Sequence, residues 1–137
     1  MTSPSSFRAF GLAVAAIVAG LAAFGTTAIS NDGNLEGSWS GSGKIFFPSG
    51  ETEVARCKAS FTRKSGDSYG MNAICATASA RVVQTANVSR LTGNRFSGEF
   101  NNPDYGITGS IRITVSGSRM SAALEGGGGK AEFSLSK

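Results

Sequence analysis

The sequence predicts an all-β protein: an eight-stranded antiparallel up-and-down (meander) β-barrel with one cross-strand disulfide, preceded by an N-terminal signal peptide helix. Three observations predict this fold. After residue 35, apolar and polar residues alternate in stretches of seven to twelve, separated by Gly, Pro, Asn and Asp. No window shows a helical period. The turns also place apolar residues opposite apolar residues on neighbouring strands.

The N-terminus has the pattern of a secretory signal peptide. Arg8 is the one charged residue of the segment, and it precedes an apolar run that is followed by small residues. Cleavage is expected before Asn31 or before Ile29. A retained membrane anchor is the alternative, although much of the run is weakly hydrophobic Ala and Gly. We assign residues 1–30 to the signal peptide and residues 31–137 to one exported barrel domain, periplasmic or extracellular.

The composition disfavours several classes of function. The chain has no histidine, so it has neither an imidazole base nor an imidazole metal ligand. Beyond residue 30, twelve Lys and Arg against nine Asp and Glu give a net charge of +3, spread along the chain. Nucleic-acid binding favours a concentrated basic stripe with interleaved aromatic residues. We expect no enzymatic activity, no cofactor, no metal and no nucleic-acid partner, and membrane contact only through the signal peptide.

The acidic residues do not form a convincing catalytic set. Glu51 and Glu53 share one face of a strand, and the solvated end of a hairpin is favoured over an acid–base pair. Asp104 lies in a connection with Asn, Pro and Gly, which predicts a turn. Arg56, Lys58 and Arg81 fall on the outward face by alternation, where charges are ordinarily solvated.

The turn around Gly66 predicts a disulfide. Paired residue numbers in an antiparallel hairpin have a constant sum, and this turn sets that sum at 132. Cys57 then lies opposite Cys75, and Phe61 lies opposite Met71. Because an exported chain meets an oxidising compartment, we predict a Cys57–Cys75 disulfide, with two free buried thiols as the alternative. Closing that loop stabilises the fold by about 3 kcal/mol through chain entropy.

Three further turns give registers of the same kind, at Thr92-Gly93-Asn94, Gly117-Ser118 and Gly127-Gly128. They place Ala86 opposite Phe100, Val115 opposite Met120, Ile111 opposite Leu124, and Ala122 opposite Phe133. The predicted strands are 36–47, 51–63, 68–78, 80–90, 94–101, 105–116, 119–126 and 129–136. A closed barrel leaves no exposed edge, whereas a flattened sandwich of the same strands is the second choice.

The second strand breaks its own alternation. Val54 has the opposite parity to Cys57, so either a bulge lies near Ala55 or Glu53 points inward near the barrel mouth. On the first strand, Phe47 is placed on the inward face with the other odd-numbered residues.

The predicted interior mixes large aromatic residues with Ala and Gly. Two interpretations remain open, a fully packed core and an apolar pocket open at one end. For the pocket, the candidate ligand-lining residues are Trp39, Phe61, Met71, Phe96, Phe100, Ile111, Met120, Ala122 and Phe133.

The Gly37-Ser38-Trp39 start of the first strand resembles that of calycin-like barrels, the lipocalins and avidins. That resemblance implies a tryptophan that closes the barrel base, in lipocalins often under an arginine from a late strand, here Arg112 or Arg119. The glycine-rich strands and cysteine pair also look like small secreted alphaproteobacterial proteins.

A weaker resemblance is to periplasmic metalloprotease-inhibitor barrels, which insert an N-terminal tail into the protease. The corresponding segment here is 31–34, and its sequence differs from theirs.

These observations favour an exported, non-enzymatic barrel that binds a small apolar or amphipathic ligand. The alternatives are a protease inhibitor acting on a secreted protease through its N-terminal tail, and an envelope-associated structural or interaction protein.

Overall fold

The structure, a computed structural model, describes Gly20 and residues 33–137. The predicted signal peptide lies outside the described residues apart from Gly20. No helix among the described residues is long and apolar enough to cross a lipid bilayer.

Residues 37–136 form one closed antiparallel barrel in which eight strands follow one another in sequence order. The strands are β1 (Gly37–Phe46), β2 (Thr52–Ser65), β3 (Ser68–Ala76), β4 (Arg81–Thr92), β5 (Arg95–Asn102), β6 (Ile107–Ser116), β7 (Arg119–Gly126) and β8 (Gly129–Ser136). Pairing of β1 with β8, which sets Gly43 opposite Phe133, closes the sheet. The predicted meander barrel is therefore confirmed, and the flattened sandwich is not formed.

All the registers predicted from the turns are present. The structure pairs Cys57 with Cys75, Ala86 with Phe100, Val115 with Met120, Ile111 with Leu124, and Ala122 with Phe133. The predicted disulfide joins Cys57 to Cys75. Because each register places one apolar set on one face, these pairs all point into the barrel and form a single core.

Two turns are tighter than predicted, although their registers are correct. Around the β2–β3 turn, Ser65 pairs with Ser68, so the turn has two residues instead of three. The register then shifts by one residue between Arg63 and Ser65, so the pairs beyond the shift have the predicted sum of residue numbers. The β4–β5 turn has the same construction, with Thr92 opposite Arg95. A short turn plus a bulge gives the same downstream pairing as a three-residue loop.

The β1–β2 ladder decides between the two interpretations of the second strand. It runs without a register shift and pairs Ile45 with Glu53, so no bulge lies near Ala55. Glu53 instead faces the barrel mouth and is half-buried, while Val54 points outward and is 62% exposed.

Inward-facing glycines allow neighbouring strands to approach each other closely. A Cβ atom at Gly43 would overlap the carbonyl oxygen of Glu132 on β8. At Gly98 it would overlap the carbonyl oxygen of Asn87 on β4. These glycines therefore leave no empty space in the barrel. They mark positions where the sheet bends to close.

The segment before β1 closes one end of the barrel. Leu35 is fully buried there, and Trp39 Nε1 donates a hydrogen bond of 2.9 Å to its carbonyl oxygen. The cation above this tryptophan is Lys137, whose Nζ lies 4.8 Å from the ring centroid. The expectation of Arg112 or Arg119 in this position is wrong, because the alternation of β6 and β7 leaves both exposed on the outer surface.

Arg90 joins three segments at the same closed end. Its Nε lies 3.2 Å from Asp67 Oδ1 on the β2–β3 turn. Its Nη1 donates to the carbonyl oxygens of Gly33 and of Gly93 on the β4–β5 turn. The guanidinium carbon stands 4.7 Å from the ring centroid of Phe96. The half-buried arginine thus holds the chain entry against two hairpin turns.

We expect Gly98→Ala to lower the free energy of unfolding by at least about 2 kcal/mol, because the added methyl group overlaps backbone that cannot move away. The matched control is Gly70→Ala on β3, where the nearest atoms belong to the flexible end of Lys64. That control is expected to cost less than about 0.5 kcal/mol. Urea unfolding of both variants checks the prediction, and equal midpoints would contradict it.

Removing the disulfide by Cys57→Ala with Cys75→Ala is expected to lower the free energy of unfolding by about 3 kcal/mol, because the cross-link restricts the unfolded chain. The two cysteines are 18 residues apart in sequence. Alanine is used so that no hydroxyl group is left in the apolar core. The measurement is urea unfolding of the variant beside oxidised wild type, and a transition that does not move would refute the expected contribution.

Candidate functional site

The barrel opens, at the end opposite to Trp39, into a cavity of about 520 Å³. We call this space the open cavity. Every strand except β3 lines it, as do the connections that follow β1, β3, β5 and β7. Its volume is typical of sites that hold one small molecule, which span roughly 300–1,000 Å³.

One side of the open cavity is apolar. Strands β6, β7, β8 and β1 contribute mainly aliphatic side chains, and β5 adds an aromatic ring. These residues are Ile107, Leu124, Ala131, Ile45 and Phe100. Phe100 and Leu124 also belong to the buried core, and the other three are partly buried and packed against it. The apolar side is therefore held rigidly by the packing of the barrel below it.

On the opposite side, strands β2, β4 and β5 each contribute one polar side chain. Glu53 comes from β2, and Ser79 Oγ donates a hydrogen bond of 2.7 Å to its Oε1. Asn102, at the end of β5, is buried and accepts a hydrogen bond of 3.4 Å on Oδ1 from the backbone N–H of Tyr105. Gln84 lies between them on β4. The cavity thus has an apolar side and a side with hydrogen-bond donors and acceptors.

Gln84 has the deepest position among these polar residues. It lines both the open cavity and a small void beneath it. Its amide makes no side-chain hydrogen bond with another described residue, and none of the described side chains has a polar atom that is both fully buried and unpaired. The Gln84 amide is therefore open to the cavity, where it can donate and accept hydrogen bonds.

Aromatic residues form part of the cavity rim. Phe47 was predicted to face inward on β1, and this prediction is wrong because β1 ends one residue earlier. Its backbone N–H instead donates to the Glu51 carbonyl oxygen at 2.9 Å in the β1–β2 turn, and its side chain is 39% exposed. Tyr105 stands exposed on the rim from the β5–β6 turn.

The nine candidate ligand-lining residues are all buried inside the barrel. Only Phe100 lines the open cavity. Trp39 and Phe96 lie at the closed end. The other six surround the small void: Phe61, Met71, Ile111, Met120, Ala122 and Phe133.

The small void separates two different halves of the interior. It has a volume of about 30 Å³, and the disulfide forms part of its lining. That volume matches one water molecule, and an apolar lining offers water few hydrogen bonds. The middle and the closed end are thus a packed core, while the other end is an open pocket. Each interpretation left open by the sequence describes one half of the barrel.

An inward Glu53 was one of the two interpretations of the second strand, but sequence reasoning missed the other two polar residues, Gln84 and Asn102. Gln84 lies between Val82 and Ala86 in the alternation of β4, so parity placed it inside, but its polarity removed it from the apolar candidates. Asn102 has the parity of Phe100 and was assigned to the following turn. An assignment by alternation alone, without regard to polarity, would have placed both residues inside the barrel.

The residues that line the open cavity offer several groups that can donate or accept hydrogen bonds. Its polar lining comprises the carboxylates of Glu51 and Glu53, the amides of Gln84 and Asn102, the amine of Lys130, and the hydroxyl groups of Ser49, Thr77, Ser79 and Tyr105. No three His, Cys, Asp or Glu residues lie close enough together to hold a metal ion in the part of the chain that the structure describes.

Among solved structures, the chain is similar to designed β-barrels. A redesigned barrel, mFAP1, bound to DFHBI, has a TM-score of 0.64 at 14% identity, over 75% of this chain and 94% of that chain. A second, mFAP0, also bound to DFHBI, has a TM-score of 0.63 at 16% identity, over 75% and 98% of the two chains. A de novo designed fluorescence-activating β-barrel has a TM-score of 0.58 at 10% identity, over 74% and 92%.

At these identities the likeness shows the fold alone. No protein-family profile matches the chain, and neither does any curated protein.

We expect Ala122→Phe to overpack the core. The void beside Ala122 holds about 30 Å³, which is far less than an added phenyl ring needs. Overpacking of this kind lowers the free energy of unfolding by about 1–3 kcal/mol. Urea unfolding of the variant measures this cost, and a variant as stable as wild type would show that the middle of the barrel is hollow.

Proposed function

We propose that this protein is an exported, non-enzymatic binding protein that holds one small amphipathic ligand in the open cavity. The observation that carries the proposal is the cavity itself, with its apolar side facing Glu53, Gln84 and Asn102. An apolar ligand body gains free energy by leaving water for the side formed by β6, β7, β8 and β1. The polar groups then fix its orientation.

The polar side favours a ligand with both donors and acceptors at one end. Glu53 accepts hydrogen bonds, and the open amide of Gln84 both donates and accepts. A wholly apolar ligand would remove these groups from water without replacing their hydrogen bonds, which costs free energy. A ligand with a polar head and an apolar body satisfies both sides of the cavity.

The structural neighbours support small-molecule binding by a barrel of this shape. Two of them, mFAP1 and mFAP0, are described as bound to DFHBI. An eight-stranded barrel has an interior just wide enough for side chains or one small ligand. Here the side chains fill one half and leave the other open, which supports the same use.

Two observations support export and a non-catalytic role. The disulfide is typical of oxidising compartments, in agreement with the signal peptide proposed for residues 1–30 and a mature domain of residues 31–137. The chain has no histidine, so no imidazole can activate the Ser79 hydroxyl group, which donates its hydrogen bond to the Glu53 carboxylate. We therefore place the protein in the periplasm or the extracellular space, as a carrier or a binding module.

The contacts of Gly33 weigh against the inhibitor alternative. Its N–H donates 3.0 Å to the carbonyl oxygen of Gly93, and its own carbonyl oxygen accepts from Arg90. Gly33 is buried against Val115. Gly33 and Asn34, the second half of the segment 31–34, thus belong to the closed end or contact it. A protease cleft that took up this segment would have to displace these contacts.

Filling the open cavity is expected to abolish binding without unfolding the barrel. The test uses Ala131→Phe, because Ala131 lies on the apolar side between Ile45 and Leu124. The matched control is Ala123→Phe on the outer surface of β7. The probe is N-phenyl-1-naphthylamine, a neutral aromatic amine whose fluorescence rises in apolar surroundings.

Wild type and the Ala123→Phe control are expected to bind the probe equally. The Ala131→Phe variant is expected to bind at least about ten-fold more weakly, which corresponds to about 1.4 kcal/mol. Near-ultraviolet circular dichroism verifies that both variants are folded. Probe binding that survives Ala131→Phe, or a wild type that binds no probe, would refute the proposed cavity function.

A further inference from the structure

The outer surface of β2, β3 and β4 carries basic charge without acidic charge. Glu53 is the one acidic residue within these three strands, and it faces the cavity. By contrast, the outer surface of β5–β8 mixes four basic residues with three acidic ones, and Glu125 pairs directly with Lys130. The excess positive charge of the barrel is therefore concentrated on one side.

Aliphatic side chains are interleaved with these basic residues. Cross-strand pairing aligns Arg56 with Arg81 through Ala76, and it aligns Lys58 with Val83 through Ile74. We call the set of Val54, Arg56, Lys58, Ile74, Arg81 and Val83 the basic-aliphatic wall. All six residues are exposed.

The exposed aliphatic residues of the wall have no role in the core. Val54, Ile74 and Val83 are 62%, 42% and 43% exposed. Ile74 and Val83 are directly paired, and Val54 lies on β2 beyond the row formed by Arg56, Ala76 and Arg81. Asp104 lies at the border of the wall, where its Oδ2 accepts a hydrogen bond of 3.5 Å from the backbone N–H of Val83. Exposed aliphatic side chains interleaved with basic ones are typical of a surface that meets a partner.

We propose that the basic-aliphatic wall docks the barrel on an anionic lipid surface. Basic side chains near such a surface attract the lipid phosphates, and short aliphatic side chains enter the interface between headgroups and acyl chains. The long stems of Arg56, Lys58 and Arg81 can lie along the aliphatic residues while their charged ends reach the phosphates. The wall has no Trp, Tyr or Phe, which protein–protein interfaces typically use as anchors.

The position of the wall places the cavity mouth beside the lipid. Val54 directly follows Glu53 in β2, and Arg81 directly follows Ala80, and both preceding residues line the open cavity. The wall is thus the outer surface of the open half of the barrel. Docking through it sets the cavity rim against the membrane, where amphipathic molecules are concentrated.

The test compares two variants with the same change in net charge. The wall variant is Arg56→Glu, Lys58→Glu and Arg81→Glu. The control replaces three basic residues that are also exposed, on the opposite side of the barrel: Arg95→Glu, Arg112→Glu and Arg119→Glu.

Co-sedimentation with phosphatidylcholine vesicles and with vesicles containing phosphatidylglycerol measures partitioning of the full chain. Because any N-terminal apolar segment binds both vesicle types, the difference between them isolates the effect of the anionic lipid. Each basic residue near an anionic surface raises partitioning about five-fold, so loss of three of them, followed by their replacement with acidic residues, is expected to lower the partitioning of the wall variant by at least about a hundred-fold. The control is expected to lose far less, and added salt should weaken wild-type binding.

Each outcome decides the proposal. Equal losses in the two variants, or equal binding of wild type to the two vesicle types, would overturn it. Wild type that binds soluble polyglutamate but not vesicles would overturn it in favour of an acidic protein partner. If charge reversal unfolds the wall variant, Arg56→Gln, Lys58→Gln and Arg81→Gln supply the same comparison. In addition, Val54→Ser, Ile74→Ser and Val83→Ser should weaken the binding that remains at high salt.

Discussion

Closure of the sheet by pairing of β1 with β8 is the constraint on which the structure depends. It requires strands to bend sharply, and glycines such as Gly43 and Gly98 permit this where neighbouring backbone occupies the place of a side chain. Closure also sends every second residue into one shared interior. The core, the disulfide and the cavity therefore all depend on the pairing registers of the strands that close the barrel.

The interior is divided because the two ends of the barrel are built differently. At one end, Arg90 and Lys137 hold the chain entry over Trp39 and Phe96, so large side chains meet and exclude solvent. At the other end, the aliphatic side faces Glu53, Gln84 and Asn102 across a cavity of about 520 Å³. The disulfide and the void lie between these halves. Stability thus resides mainly in one half, which leaves the other free to hold a ligand.

The fold was predictable because it follows from local rules, whereas the site depends on how side chains fill the barrel. Turn positions gave the registers, including that of Cys57 and Cys75, since a hairpin pairs residues close in sequence. Local patterns do not show how far each inward side chain reaches, so most predicted lining residues lie in the packed half. The cation above Trp39 was also missed, because Lys137 reaches it only after β8 closes the barrel.

Two violations of the hydrophobic alternation lie at the open end. On β2, Glu53 faces inward and Val54 faces outward, and on β4, Gln84 faces inward and Val83 outward. A one-residue slip of either strand would reverse these faces, but it would also turn the core residues of that strand outward, and a slip of β2 would separate Cys57 from Cys75. The rest of the barrel therefore fixes the register of both strands. The polar residues stay inside and the aliphatic residues stay outside, although each placement costs free energy. Such local conflicts are expected at functional positions, here the polar side of a cavity and the aliphatic part of a docking wall.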